Sequence, residues 1–438
     1  MRQKVVDVTG NDGVSILCTG DIHLGRHPSR VEPEADELSP THVWERIVQH
    51  AIVQGVDVVA LTGDVVDQDN RYYEARGPLE RGIRRLAEED IQTVAVAGNH
   101  DWDVLPDLVR DIGDEDFHLL GGDGTWEHFV MEREGQPAVQ FVGWSYPSRH
   151  VHSSPLEDLA VPDAADVTVG LLHTDLDQPD SDYAPVRSAD LGRQGVNVWL
   201  LGHIHQPHQP DCDVDLALYP GSPQPLDPGE QGIRGPWLVN VGGPADVSCH
   251  QIPLATLCYR QVVVDLEDAD DESEFRRRSV DAVKRDAEEV ADSGADIDRV
   301  VCRLMCQGRT RLHRLIDVLG EQLADELVDL TVDGMVVSVD RVIRETVPPI
   351  DLQRVAQGSD PPGVLAKLLL KLRDGRVEDM PEESQSLFDA IRDRIHKVHH
   401  SGAYQPLSTD EEPDEKWVRD QVFREGMALL DELLGSGR

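Results

Sequence analysis

Short runs of branched aliphatic residues recur through the first 265 residues of the chain. The runs span 14–19, 56–62, 93–97, 167–172 and 196–201, and they are rich in Val, Leu and Ile. Because they are too short for buried helices, we predict that they are buried strands. Residues 41–54 and 74–89, which lie between runs, carry apolar residues at helical spacing. This alternation of strand and helix constrains the region to an α/β layered domain.

The rest of the chain is predicted to hold two further regions. Residues 266–347 open with an acidic stretch and combine helix patterns with strand-like runs at 299–305 and 335–342, which indicates a small α+β domain. Four prolines between 348 and 362 bracket a linker. Beyond it, the segments 363–373, 382–400 and 415–434 read as helices. We therefore expect domains at 1–265 and 266–347, followed by a linker and C-terminal helices at 348–438.

The net charge of −42 restricts how the chain can bind nucleic acid. Only six of its 438 residues are lysine. An acid-rich, lysine-poor surface is typical of a protein that works in concentrated salt, where ions screen self-repulsion. A protein from ordinary salt with an acidic surface is the alternative. In both cases a broad basic DNA-binding face is excluded, so any DNA contact must be local.

The cysteines and the apolar segments indicate a cytoplasmic protein. No stretch approaches the roughly 18 apolar residues of a membrane span, and residues 1–13 lack the apolar core of a signal peptide. The six cysteines are too sparse for a disulfide scaffold. Cys302 and Cys306 form a CxxxC pair without further soft ligands nearby, so they are predicted to be buried, reduced thiols.

Each predicted strand of the first region ends in polar residues. In α/β sheets, ligands bind beyond the carboxyl ends of the strands. The sequence therefore predicts that one sheet edge collects seven side chains: Asp21, His23, Asp64, Asn99, His173, His203 and His205.

This set suits two divalent metal ions, with Asp64 as the bridging carboxylate. His, Asp and Asn without Cys favour Mn²⁺, Fe²⁺ or Zn²⁺. Two such ions can clamp a phosphate and activate a water for in-line attack. Taken singly, a strand-end Asp is usually a turn or helix cap, and a His is usually an ordinary surface or core residue. The ordered series DxH, GD, GNHD, H and GHxH, each after a predicted strand, is not explained in that way.

The series resembles that of the calcineurin-like metallophosphoesterases. The resemblance implies a four-layer sandwich, with two β-sheets flanked by helices, followed by a small α+β capping domain and C-terminal helices. It implies one metal held by Asp21, His23, Asp64 and His205, and a second held by Asp64, Asn99, His173 and His203. His100 would protonate the leaving oxygen or stabilise the transition state, and Asp101 would orient His100.

Further segments over residues 14–265 resemble the SbcD and YhaO-type DNA-repair exonucleases. They are DIHLGR at 21–26, GDVVD at 63–67, DYAP at 182–185, YPGSPQ at 219–224 and DPGE at 227–230. This resemblance implies a Mn²⁺-dependent nuclease acting on DNA ends, with C-terminal helices that bind an SbcC-type coiled-coil ATPase. Some members have a histidine where this chain has Asp67, so the role of that position stays open.

Several alternatives stay open at this point. Arg71, Tyr72, Tyr73 and Arg76 are candidate DNA contacts, or they form an ordinary helix start. A calcineurin-like phosphatase or phosphodiesterase acting on nucleotides or phosphoproteins would use the same metals. The apolar stripe within 417–434 either docks on the ATPase or packs on the helix at 382–400. The oligomeric state, including a homodimer, is not determined by the sequence.

Overall fold

The computed structural model describes residues 13–32, 35–67, 73–113, 117–132, 137–328, 330–399 and 413–435. The chain divides into two compact units. The first comprises residues 1–258 and 294–298, and the second comprises residues 259–293 and 299–438.

The described part of the first unit contains two β-sheets. Its strands are β1 (Val14–Thr19), β2 (Val58–Leu61), β3 (Gln92–Ala95), β4 (Phe117–Leu119), β5 (Glu127–Met131), β6 (Val139–Trp144), β7 (Val167–His173), β8 (Val198–Gly202), β9 (Leu216–Leu218), β10 (Trp237–Gly243) and β11 (Asp246–Gln251). One sheet has the order β11-β10-β1-β2-β3-β4, and the other has the order β5-β6-β7-β8-β9. Strands β1 to β4 run parallel, as do β6 to β9. Each sheet therefore delivers the carboxyl ends of several strands to one edge.

Helices cover the first of these sheets. They are α1 (Pro40–Gln54), α2 (Tyr73–Ala87) and α3 (Leu105–Ile112), and a short α4 (Ser188–Leu191) lies after β7. Single 3-10 turns lie at Asp36–Leu38 and Pro155–Asp158. The Ser39 side chain caps α1 by accepting from the backbone N–H of His42 at 3.1 Å, and Gly55 ends the helix at φ 61°.

The two faces of β1 show how the layers are built. Ile16 and Cys18 lie in the core shared by the two sheets, whereas Leu17 packs into the core with the helices. This alternation follows from the two-residue period of a strand. Val43 and Ile47 of α1 are fully buried in the same helical layer, and burial of each such side chain stabilises the fold by about 1.5–3 kcal/mol.

The described part of the second unit combines one sheet with helices. Its strands are β12 (Leu257–Asp265), β13 (Arg299–Gln307), β14 (Leu330–Val332) and β15 (Met335–Arg344), in the order β12-β13-β15-β14. Its helices are α5 (Glu272–Asp292), α6 (Ile316–Glu326), α7 (Leu352–Val355), α8 (Pro361–Arg373), α9 (Glu382–His399) and α10 (Glu415–Gly435), with a 3-10 turn at Val377–Asp379. The unit boundary at Cys258 falls inside β12.

The apolar stripe of α10 is already used inside the second unit. Val418, Met427 and Leu430 are buried in a cluster with Ala366 and Leu369 of α8. The prediction that a free stripe docks on a partner is therefore wrong for these residues. The stripe packs inside the unit, as the alternative expected, but on a different helix: α8, and not the helix at 382–400, supplies most of the opposing surface.

The predicted architecture is confirmed as a mixed α/β structure with several sheets flanked by helices. The five aliphatic runs form β1, β2, β3, β7 and β8, with ends shifted by no more than a few residues. Cys302 and Cys306 are both buried, and burial raises the pKa of the Cys306 thiol to about 12. None of the described helices is both long and apolar enough to cross a membrane.

Candidate metal centre

The carboxyl ends of five strands bring the predicted ligands together. Asp21 and His23 follow β1, Asp64 follows β2, Asn99 follows β3, His173 ends β7, and His203 and His205 follow β8. Of these, only His203 and His205 are not fully buried. The strands β1, β2 and β3 belong to one sheet and β7 and β8 to the other, so the ligands come from the edges of two sheets and not from one sheet edge as predicted.

One part of the cluster surrounds His205. Its Nε2 lies 3.2 Å from the Nε2 of His23 and 4.0 Å from Oδ1 of Asp21. The Nδ1 of His23 faces Asp67 Oδ1 at 3.3 Å, and the Nδ1 of His205 donates to Glu230. With the Nδ1 atoms turned toward carboxylates, the two Nε2 atoms present lone pairs to each other.

The other part of the cluster surrounds His173. Its Nδ1 donates to the carbonyl of Thr62 at 3.0 Å. Its Nε2 faces two oxygens, Oδ1 of Asn99 at 3.1 Å and Oδ2 of Asp64 at 3.4 Å. The His203 ring lies beside it, with ring centroids 5.3 Å apart.

These contacts fit divalent cations. Lone pairs and carboxylate oxygens face one another in both parts of the cluster, and such groups repel unless a proton or a cation lies between them. Three triads have ligand atoms within 4.8 Å of one another: Asp21, His23 and His205; His23, Asp64 and His100; and Asp21, Asp64 and His173. A donor set of imidazole and carboxylate without thiolate matches Mn²⁺, Fe²⁺ or Zn²⁺.

The backbone at the ligands adopts an unusual conformation. Asp21, His23, Asp64 and His203 have φ values of 48°, 52°, 49° and 99°. Asp and His are among the few residues other than glycine that enter this region readily, at a cost of roughly 1–3 kcal/mol each. The fold therefore imposes the turns that aim these side chains inward.

Two glycines make the close approach of the strand ends feasible. A Cβ at Gly98 would lie 2.2 Å from Oδ1 of Asp64, and one at Gly63 would lie 2.6 Å from Nδ1 of His173. Gly63 also has φ 97°. The glycines in the GD and GNHD motifs are thus required by the packing of the ligands.

His100 lies at the open side of the cluster. Its backbone N–H donates to Oδ1 of Asp64 at 2.8 Å, and its ring meets the His23 ring edge-on at 4.9 Å. Its side chain is 30% exposed, in contrast to 1% for His23. Asp67 Oδ1 lies 4.0 Å from its Nδ1. The imidazole is therefore held beside the ligands and remains accessible to a substrate.

Asp101 acts on the backbone. Its carboxylate accepts from the N–H groups of Gly98 at 2.7 Å, Val65 at 2.7 Å and Val66 at 3.3 Å. Within the described hydrogen bonds it does not contact His100, so the expectation that it orients that imidazole is not met; Asp67 is the carboxylate beside His100. Asp101 instead joins the GD loop to the GNHD loop.

Electrostatic coupling is strong throughout the cluster. Burial would raise the pKa of Asp64, but His173 holds it well below its usual value. Burial would lower the pKa of His173, but Asp64 raises it to about 9. Burial lowers the pKa of His100 to about 4, and burial together with Asp64 raises the pKa of Asp101 to about 7. Negative charge is thus concentrated on Asp64, between the two parts of the cluster.

Sequence reasoning missed the residues that support the ligands from behind. Glu230 binds His205, and the Tyr183 ring lies against the His203 ring with centroids 4.8 Å apart. Both residues fall in segments that carried the resemblance, DPGE and DYAP. Those segments could have suggested a structural link to the site, but no spacing in them identified the partner.

The predicted DNA contacts are mostly outside the described residues. Arg71 and Tyr72 lie outside them, and of Tyr73 only the backbone, at the start of α2, is described. Arg76 forms ion pairs with Asp111 at 3.1 Å and with Glu80 at 3.7 Å. The guanidinium of Arg76 thus already has acidic partners in the structure.

A profile of the calcineurin-like phosphoesterase family matches residues 14–207. The chain is also similar to an uncharacterized metallophosphoesterase, YhaO, from Bacillus subtilis, with 26% identity over 51% of this chain and 54% of that protein. The alignment thus spans about half the length of YhaO.

Two longer alignments reach into the second unit. The DNA double-strand break repair protein Mre11 of Methanopyrus kandleri is 22% identical over 83% of each chain. The Mre11 protein of Haloferax volcanii is 24% identical over 87% of this chain and 81% of its own length.

Proposed function

Because the chain carries a calcineurin-like phosphoesterase domain at residues 14–207, we propose that it is a metal-dependent nuclease of the SbcD and YhaO type. It would hydrolyse phosphodiester bonds at DNA ends during double-strand-break repair. The convergence of seven candidate ligands, Asp64 among them, with His100 beside them, carries the phosphoesterase part of this proposal. Similarity to Mre11 proteins over more than four-fifths of the chain supports DNA as the substrate.

The ligands divide between two metal positions that share Asp64. Asp21, His23, Asp64 and His205 would hold one ion, and Asp64, Asn99, His173 and His203 would hold the other. When bound, such ions neutralise the phosphate and supply a water nucleophile at neutral pH. We propose Mn²⁺ for both positions, as the resemblance to the SbcD and YhaO-type nucleases implies; the donor set of oxygen and imidazole without thiolate is compatible with Mn²⁺ but fits Fe²⁺ and Zn²⁺ as well.

His100 would act on the reacting phosphate directly. Its backbone is fixed by Asp64, and its side chain faces the accessible side of the site. From there the imidazole would donate a proton or a hydrogen bond to the leaving oxygen. Such a contribution is typically worth 10²–10⁴-fold in rate.

Binding of DNA would depend on a few contacts near the metals. The chain carries 83 acidic and 41 basic residues, so a broad electrostatic attraction is absent. Arg71, Tyr72, Tyr73 and Arg76 remain the proposed protein contacts.

An SbcC-type coiled-coil ATPase remains the proposed partner. With Val418, Met427 and Leu430 of α10 buried, the large apolar side chains that stay exposed on the described parts of α9 and α10 are Leu387 at 63%, Leu429 at 49%, Trp417 at 48%, Val398 at 48% and Leu434 at 38%. Tryptophan, here Trp417, is a residue type that is enriched among interface hot spots. The partner would therefore contact the outer surface of α9 and α10.

The decisive experiment compares substrates on the full-length chain loaded with Mn²⁺. Linear duplex DNA is expected to be degraded, while covalently closed circular duplex, nucleoside monophosphates and phosphopeptides are cleaved far more slowly. Asp64→Ala protein serves as the control for contaminating nuclease. Faster turnover of nucleotides or phosphopeptides than of DNA ends would favour the alternative, a calcineurin-like phosphatase or phosphodiesterase.

A further inference from the structure

A buried carboxylate stands behind one of the seven candidate ligands. Glu230 is 8% exposed, and its Oε1 accepts from His205 Nδ1 at 2.8 Å. It lies beyond the residues that match the family profile. Its contact leaves His205 Nε2 as the atom that faces His23 and Asp21.

Both oxygens of this carboxylate are used. Oε2 accepts from Ser222 Oγ at 2.6 Å and from the backbone N–H of Leu226 at 3.0 Å. The carboxylate therefore receives donors on both sides, which a carboxylate can satisfy and an amide cannot. An amide at this position would either lose the Leu226 contact or turn its NH₂ group toward His205.

A buried arginine holds the same loop. Arg234 is fully buried and donates to the carbonyl of Glu230 at 3.0 Å and to Ser222 Oγ at 3.2 Å. It also donates to the carbonyl of His205 and to Oε1 of Gln206 at 2.9 Å. The positive charge compensates the buried carboxylate, and the guanidinium ties the backbone of the GHxH motif to the loop that carries Glu230.

The corresponding histidine of the other metal position has a different support. His173 Nδ1 donates to a neutral carbonyl, that of Thr62. A carboxylate behind an imidazole fixes its tautomer and raises its basicity toward a metal more than a neutral acceptor does. The two metal positions therefore differ in what lies behind their ligands.

We infer that Glu230 is a positioning residue that acts through His205 on one metal position, the one formed by Asp21, His23, Asp64 and His205. Ser222 and Arg234 hold its carboxylate in place. The inference rests on the proposed function only for the assignment of two metal ions to these ligands, and it makes a statement about metal binding that needs no substrate.

The test is a Mn²⁺ titration of the metal-free, full-length chain by calorimetry. In Glu230→Gln, one of two binding events is expected to weaken by about 10–100-fold, with the other changed much less. Nuclease activity should be restored by a matching increase in Mn²⁺. Asp57→Asn is the matched control, because Asp57 is a buried carboxylate of the same unit that accepts from Ser15 N and Oγ, at 2.6 and 2.8 Å. It should leave both binding events unchanged.

The inference is overturned if Glu230→Gln leaves both events unchanged, weakens both equally, or behaves like Asp57→Asn. If circular dichroism shows that Glu230→Gln is unfolded, Ser222→Ala takes its place, since it keeps the carboxylate and removes one donor to Oε2 together with one acceptor of Arg234. A several-fold weakening of one event is then expected, and unaltered binding would overturn the inference. A chain that binds Mn²⁺ in this way without cutting DNA would refute the proposed function alone.

Discussion

The two units of the chain bury different kinds of side chain. Among the described residues, the first unit buries a set of ionisable groups: Asp21, His23, Asp57, Asp64, Asp67, Asp101, His173, Glu230 and Arg234. The described part of the second unit buries far fewer such groups: His313, and the Asp340 carboxylate, whose side chain is 4% exposed and pairs with Arg303. Buried charge is costly unless it is paired or binds a ligand. The difference indicates that the buried charges of the first unit serve its candidate metal centre, whereas the second unit is stabilised mainly by apolar packing.

The largest effect is expected from removing Asp64, the carboxylate that both proposed metal positions share. Asp64→Ala is expected to reduce bound metal from two equivalents to none, with activity falling to background, because both proposed positions use this residue. Elemental analysis of the purified protein measures the loss. Asp340→Ala, which removes a carboxylate paired with Arg303 in the second unit, should retain two equivalents. Retention of one tightly bound equivalent in Asp64→Ala would disprove the shared-ligand assignment.

The next test separates turnover from metal binding. His100→Ala is expected to keep both metals and lose about 10²–10⁴-fold in kcat, since His100 lies beside the ligands. Single-turnover kinetics with saturating Mn²⁺ give the rate. His313→Ala, which removes a buried histidine of the second unit, is the matched control and should leave kcat unchanged. Wild-type kcat in His100→Ala would remove this imidazole from the mechanism.

A third test addresses the apolar packing of the second unit. Leu430→Ala is expected to lower the free energy of unfolding of the second unit by about 2–5 kcal/mol, because Leu430 is fully buried against α8. Leu429→Ala, at a 49% exposed position one residue earlier, should change it by no more than about 0.5 kcal/mol. Urea unfolding followed by circular dichroism measures both. Equal losses of unfolding free energy in the two variants, or loss of bound metal in Leu430→Ala, would contradict this difference between the units.

A rise in salt concentration is expected to have the smallest effect on folding and activity. Because ions screen the net charge of −42 and the Debye length at 1 M is near 3 Å, folding and activity should persist above about 1 M KCl. A nuclease that depended on many phosphate contacts would instead lose affinity steeply with salt. Thermal unfolding and DNA-end cleavage across a KCl series check this. Maximal stability and activity in dilute buffer would contradict adaptation to high salt.

The sequence predicted the ligand cluster far better than its surroundings. Asp21 and Asp64 could be located together because the parallel strands β1 and β2 deliver their carboxyl ends to one edge. His173 ends a strand of the other sheet, so its place beside them was indicated by the ordered motif series and not by a single sheet edge. Glu230 could not be paired with His205, because that contact depends on how a loop returns to the sheet. The stripe of α10 was identified from its period, but a period does not tell which helix covers it.

The left-handed backbone at Asp21, His23, Asp64 and His203 limits which variants natural selection can explore. At Asp21 and Asp64, asparagine is the replacement that this conformation tolerates best, yet it removes a charge from the centre. Glutamate would keep the charge but fits the turn less well. A lineage that drifts from its ancestral chemistry therefore cannot readily exchange one ligand for another at these turns. Substitution at Asp21 or Asp64 is therefore expected to weaken the metal centre and not to replace one anionic ligand by another.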